Sequence, residues 1–209
     1  MKASIIHIDI DPAEIGKNVN AHIPIVGDVK SVLREFTKEI EACPCDEWLK
    51  KVQAAKKEAP LRGEPRTDFV EPRAFMRDLS AMMEDDAILT ADVGQNQIWA
   101  ANNFNTKEGR FLTSGGMGTM GYALPAAIGA KLAKPKRQVV AVCGDGSFQM
   151  SMCELATANQ NQVPLKLVVM RNKFLGMVKE LQDNLYQGRH VATPLNGDPD
   201  IVKLVQAYG

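Results

Sequence analysis

The sequence has no apolar run approaching the roughly 20 residues that a membrane span requires, so no membrane association is expected. It has no excess of either charge. Lys and Arg number 25, Asp and Glu number 25, and the formal net charge is zero. Nucleic-acid binders carry a basic excess or a basic stripe, and neither is present here. The densest basic patch, Lys50, Lys51, Lys56 and Lys57, falls on a predicted helix and reads as a solvated face. Cysteine is scarce, with 4 residues. Cys43-Pro44-Cys45 is spaced too closely for a Cys-x2-Cys zinc knuckle, and no second pair matches it. Cys143 ends an apolar strand and Cys153 falls on a predicted helix, so both are expected to be core thiols, reduced as in the cytoplasm. No basic region followed by an apolar stretch opens the sequence, so no secretory leader is expected and a cytoplasmic location is. His7, His22 and His190 show no ligand spacing and read as structural or exposed. Internal repeats and low-complexity tracts are absent.

What is present is an ordinary folded composition, 45% apolar and 24% charged over 209 residues, enough for one to two domains. Segment 3–10 reads as a buried strand, and Asp11-Pro12 as the start of a short helix. A second strand is predicted at 23–26. Gly27-Asp28 then caps a helix with Val29, Val32, Leu33, Phe36 and Ile40 on one face. Another helix is predicted at about 46–58. Segment 59–68, rich in Pro, Gly and charge, is the linker candidate. The expected organisation is the tail of one domain over 1–45, a helix and linker over 46–68, and most of a second domain over 69–209. The strand that follows Met1-Lys2 and the helix that ends on Gly209 both look interrupted, so a fragment of a longer polypeptide is expected.

After the linker the pattern alternates. Helices are predicted at 72–83, 95–102, 121–133, 148–160 and 176–186, and strands at 87–91, 111–114, 138–143 and 165–170. Strands separated by helices imply an α/β fold, a parallel sheet covered on both faces. Ligands of such sheets bind at the carboxyl ends of the strands.

Two of those strand ends carry oxygen ligands. The apolar strand Val139-Val140-Ala141-Val142-Cys143 stops at Gly144-Asp145-Gly146-Ser147, where a helix begins. Glycine lets a ligand approach the backbone, and free amides at a helix start favour an anion such as a diphosphate. Asp145 is a hard ligand suited to Mg2+. Standing alone, the segment reads equally as an ordinary turn with an N-cap. The next strand ends at Asn172, whose side-chain carbonyl is also hard, though alone it reads as a turn former. Consecutive strands of one parallel sheet allow Asp145 and Asn172 to face one ion.

Gly-Asp-Gly followed about 25 residues later by Asn resembles the thiamine diphosphate–magnesium motif. The resemblance implies Mg2+ on Asp145, Asn172 and the backbone carbonyl of Phe174, bridging to the cofactor's diphosphate. Ser114-Gly115-Gly116-Met117-Gly118-Thr119-Met120-Gly121-Tyr122, by itself a glycine-rich turn with a core methionine, closely resembles the acetolactate synthase (acetohydroxyacid synthase) catalytic subunits. There Met120 would wedge under the bent cofactor and Gly118 would present backbone to the aminopyrimidine. Val93-Gly94-Gln95-Asn96-Gln97-Ile98-Trp99-Ala100-Ala101 resembles the family's Val-Gly-Gln-His-Gln-Met-Trp-Ala-Ala, with Gln95 and Asn96 donating to the diphosphate. The resemblance also implies cofactor contacts at Gly144, Gly146, Ser147, Met150, Leu175, Gly176 and Met177.

Near the N-terminus, Ile8-Asp9-Ile10-Asp11-Pro12 and Gly27-Asp28 resemble the end of the family's FAD-holding middle domain, which implies FAD contacts at Asp9 and Asp28; without the resemblance they read as a strand-end acid and a helix N-cap. Leu181 stands where the family usually has a tryptophan that selects the acceptor. The catalytic glutamate of the family lies in a domain not represented in this chain, so no residue here is assigned that role. The implied reaction joins two 2-keto acids, pyruvate giving 2-acetolactate with loss of CO2, in branched-chain amino acid biosynthesis. A homodimer and a regulatory small subunit are implied as partners. The alternatives are another thiamine diphosphate-dependent decarboxylase or carboligase, such as pyruvate oxidase or glyoxylate carboligase, and a cofactor-binding module inactive in isolation.

Overall fold

A computed structural model describes residues 3–58, 68–197 and 199–209. The chain divides into two compact units, Met1–Gly63 and Glu64–Gly209. The candidate linker at 59–68 lies, apart from Asp68, outside the described residues.

In the first unit, β1 (Ile6–Asp9) and β2 (Ile23–Val26) pair in parallel, with Ile6 opposite Ile23 and Asp9 opposite Val26. Helix α1 (Val29–Glu39) begins where Asp28 accepts from the Ser31 amide, and α2 (Asp46–Glu58) follows. The helix predicted at Asp11-Pro12 is instead a set of turns. Asp9 and Asp11 each accept an amide two residues ahead, which holds the chain in Asx turns, and Gly16 at φ 77° ends the segment. The lysines of α2 are exposed, as a solvated face requires.

The second unit is built on one four-stranded parallel sheet in the order β4-β3-β5-β6. Its strands are β3 (Ile88–Ala91), β4 (Arg110–Thr113), β5 (Val139–Gly144) and β6 (Lys166–Met170). β5 is almost wholly apolar because both of its faces are covered. Side chains alternate along it. Val139, Ala141 and Cys143 pack with Ala123, Leu124, Ala127 and Ile128 of α5 (Ala123–Ala133). Val140 and Val142 pack on the other face with Met76 of α3 (Pro72–Met82) and Ala100 of α4 (Gln95–Asn103). The predicted doubly covered parallel sheet is therefore the observed one.

The helix predicted at 148–160 is two helices. α6 (Asp145–Ser151) starts three residues earlier, directly at the strand end, and α7 (Glu154–Gln160) follows a break. Across the break Leu155 and Ala156 bond to carbonyls three residues back, so the chain tightens before continuing. Cys153 sits at this break and is exposed, contrary to the core position expected of it; Cys143 is buried as expected. α8 (Gly176–Leu185) and α9 (Ile201–Ala207) complete the unit, with Ile201, Leu204 and Val205 against the core. Among the described residues no helix is long and apolar enough to cross a membrane.

Leu89 on β3 is fully buried and packs in the cluster of Val140 and Val142. Leu89→Ala is expected to lower unfolding free energy by about 2–5 kcal/mol, read as a lower urea midpoint at unchanged slope.

Candidate functional site

A cavity of about 890 Å3 lies at the carboxyl edge of the sheet in the second unit. The ends of β3, β5 and β6 all open onto it. Gly94, Gln95 and Asn96 enter after β3, Gly144 to Ser147 after β5, and Asn172 to Val178 after β6, while Met120 reaches it from the loop between β4 and α5. Three helices begin here: α4, α6 and α8. The N-caps of α4 and α8, Gly94 and Leu175, place no side chain on their first amides, whereas in α6, which follows Gly144, the Asp145 carboxylate takes the Gly146 amide. First-turn amides without side-chain caps give a cavity wall a positive bias.

Asp145 is 1% exposed. Its Oδ1 accepts from the Gly146 amide at 3.0 Å, and its Oδ2 from the amides of Asn172 at 3.2 Å and Lys173 at 2.6 Å. The carboxylate thus ties the loop after β6 to the end of β5. Register makes this possible, since Gly144 lies opposite Met170 in the parallel ladder. The structure therefore brings Asp145 and Asn172 together, as the spacing implied. Asn172 Oδ1 accepts from the Phe174 amide at 2.9 Å, which closes the next turn. Lys173 takes φ 62° to make these bonds, a conformation that costs a β-carbon-bearing residue roughly 1 kcal/mol. The Phe174 segment is braced from outside by Leu195 N donating to Lys173 O and Leu175 N donating to Thr193 O, both at 2.9 Å.

The other named residues divide. Met120, Leu175, Gly176 and Met177 line the cavity, and so do Gly144, Gly146 and Ser147. The Ser147 hydroxyl is engaged with both the amide and the carbonyl of Gly144. Gly118, at φ 64°, and Met150, which is exposed, are not on the cavity wall. Met150 packs instead beneath Gly121, where an added β-carbon would meet its own at 3.3 Å. Asn96 lines the cavity, but its Nδ2 donates to the backbone carbonyls of Asp92 at 2.9 Å and Val142 at 3.4 Å. Both contacts tie the Asn96 amide to the sheet edge. Gln95 Nε2 donates to Glu180 Oε2 at 2.8 Å. In the first unit, Asp9 Oδ1 accepts from the Asp11 amide, and Asp28 Oδ1 accepts from the amide and hydroxyl of Ser31. Those bonds, the Ser31 amide first, hold the Asp28 carboxyl below its ordinary pKa.

Asp92 was not singled out by sequence. It is fully buried at the end of β3. Its Oδ1 accepts from the amides of Val93 and Gly121, each at 2.9 Å, and its Oδ2 from Ala123 at 2.8 Å. One carboxylate therefore holds the loop that carries Met120 and the first turn of α5. The signal was available: Asp92 follows an apolar strand and precedes a glycine-containing turn into a helix, the same pattern as Asp145. Desolvation, with Asp92 nearby, pushes the pKa of buried Cys143 upward, so that thiol stays protonated.

Residues 92–209, more than half of the chain, match the domain described as "Thiamine pyrophosphate enzyme, C-terminal TPP binding domain". The chain belongs to the thiamine pyrophosphate enzyme family. Residues 1–36 match the description "Thiamine pyrophosphate enzyme, central domain". Over 222 residues the chain is 45% identical to a probable acetolactate synthase large subunit of Methanocaldococcus jannaschii, covering 100% of this chain and 37% of that protein. It is 42% identical over 215 residues to the acetolactate synthase isozyme 3 large subunit of Escherichia coli K12, covering 99% of this chain and 38% of the relative. The large subunit from Buchnera aphidicola subsp. Schlechtendalia chinensis is also 42% identical, over 217 residues, with the same coverage of 99% and 38%. The chain thus spans under two fifths of the length of these relatives.

Asp92→Asn keeps the shape but turns one amide nitrogen toward a backbone donor. A loss of about 1–3 kcal/mol is expected, read as a lower melting temperature together with faster hydrogen exchange at Gly121 and Ala123.

Proposed function

We propose that this chain supplies the diphosphate-binding half of the active site in a thiamine diphosphate-dependent enzyme of the acetolactate synthase type. The observation that carries this reading is the convergence of two helix starts without side-chain caps, α4 and α8, on one cavity beside Asp145 and Asn172. A diphosphate fits such a wall because its charge meets backbone amides, with Arg171 and Lys173 also lining the cavity.

Mg2+ suits the donors available. Asp145, the Asn172 side-chain oxygen and the Phe174 carbonyl are all hard oxygen ligands, and Mg2+ takes few protein ligands when phosphate oxygens complete its shell. Among the described residues no group of three or more His, Cys, Asp or Glu is placed to hold a metal, so the ion would depend on the diphosphate for the rest of its shell. Asp145 already accepts three backbone amides, and its carboxylate has about four acceptor positions, so one remains for a cation. Asn172 would exchange the Phe174 amide for the metal.

Bound here, thiamine diphosphate supplies the electron sink for decarboxylating one 2-keto acid and joining the remainder to a second. The chain's own residues hold and orient. The first turns of α4 and α8 face the diphosphate, Gly94 and Gly176 bring backbone close, and Met120, Leu175 and Met177 provide apolar walls that exclude water. Gly94 has φ 149°, and a β-carbon there would lie 2.6 Å from Asn96 Oδ1, so only glycine serves. Pyruvate as donor, 2-acetolactate as product, FAD held through Asp9 and Asp28, a homodimer and a small regulatory subunit complete the proposal. The product and the small subunit are supported by relatives named as large subunits of acetolactate synthase. Leu181, half exposed on α8, is the position at which the acceptor would be chosen.

Calorimetry tests the cofactor assignment. Thiamine diphosphate should bind with Mg2+ and fail to bind in excess EDTA, and Asp145→Ala should weaken it by at least about tenfold, or 1.4 kcal/mol. Equal affinity in both proteins would refute the metal assignment. A second expectation is that residues 1–209 alone form no 2-acetolactate from pyruvate; colorimetric detection of product would overturn it.

A further inference from the structure

Gln95 and Glu180 face each other across the mouth of the cavity. Gln95 is the first residue of α4 and lines the cavity; Glu180 is the fifth residue of α8 and is exposed. Gln95 Nε2 donates to Glu180 Oε2 at 2.8 Å, over a separation of 85 residues. The other end of the Gln95 amide presses on the start of α8. A β-carbon on Gly176 would lie 2.2 Å from Gln95 Oε1. The side chain therefore lies along one helix, its nitrogen bonded to Glu180 and its oxygen close over Gly176. Lys179, next to Glu180 in the chain, is paired with Asp183 at 2.9 Å and lies over the Phe174 ring.

Resting on the diphosphate reading above, we propose that Glu180 is a positioning residue that latches Gln95 to α8, and that a diphosphate binding at Gln95 competes with this latch. A primary amide has two hydrogens, so counting donors does not by itself forbid a second acceptor. Charge does. Two anionic oxygens on one amide nitrogen would lie roughly 4–5 Å apart, given ordinary hydrogen-bond lengths, and like charges that close repel even at the dielectric of water. Binding thus turns Gln95 away from Glu180 and releases the first turns of α8. Glu180 in this way sets cofactor affinity without touching the cofactor, and it makes the position of α8 depend on whether the site is filled.

Two measurements on the chain as it stands test this. The first needs no cofactor. Hydrogen exchange at the α8 amides of Lys179 and Glu180 should speed up in Glu180→Ala and in Gln95→Ala, with the double variant no faster than either single one. Unchanged exchange in Glu180→Ala, or additive acceleration in the double variant, overturns the latch. The second is calorimetry with thiamine diphosphate and, separately, inorganic diphosphate, each with Mg2+. Glu180→Ala should bind roughly three- to tenfold tighter than wild type, the gain expected from releasing a solvent-exposed charged hydrogen bond, and Glu180→Gln should gain part of this. The gain should vanish in a Gln95→Ala background. A gain that persists there means that Glu180 acts directly on the ligand and overturns the proposal, as does an absence of gain with both probes. A gain with inorganic diphosphate alone leaves the latch standing and removes the thiamine reading instead.

Discussion

Two buried carboxylates at one edge of a parallel sheet organise the second unit. Asp92 ends β3 and Asp145 follows β5, strands that lie side by side at the centre of the sheet. Each accepts three backbone amides, and each reaches sideways for some of them. Asp92 takes amides from the loop that follows its outer neighbour β4, and Asp145 from the loop that follows its outer neighbour β6. An ionised group in a dry interior is costly unless it is fully hydrogen-bonded, so neither carboxylate tolerates a displaced loop. The loops that carry Met120 on one side and Asn172 on the other are consequently held in place by the same chemistry.

That arrangement divides labour between binding and shaping. Asp92 spends its acceptors on backbone and is left with a purely architectural task. Asp145 is bonded in the same way but lines the cavity. Peptide dipoles at the helix starts and the cavity-lining Arg171 and Lys173 both give the wall a positive bias.

Much of this was legible in the sequence, because the relevant signals are local. Apolar strands followed by helices announced the parallel sheet, and the spacing from Asp145 to Asn172 announced adjacent strands. The signals that failed depend on partners distant in the chain. Nothing near Gln95 reveals that its amide is held by Glu180, and nothing near Asn96 reveals that its amide also reaches the Val142 carbonyl. Asp92 was overlooked because its role appears only once β4 and its loop are beside β3. The remaining misses were failures of periodicity. An apolar pattern over 148–160 persists through a break that the backbone makes by tightening, and Cys153 at that break turns to solvent. Asp11-Pro12 has the sequence of a helix start, but the aspartates on either side of the turn capture the amides first.

Cys143 lies between these two loops, one residue before Gly144, with its thiol protonated and out of solvent. A thiol in that condition is chemically silent toward disulfide exchange and alkylation, which need a thiolate and access. It becomes reactive only when the strand that carries it is uncovered. The three other cysteines are exposed and mark background labelling. The protein therefore carries an internal clock, in which the delay before Cys143 reacts measures how often the central strand of the sheet comes open.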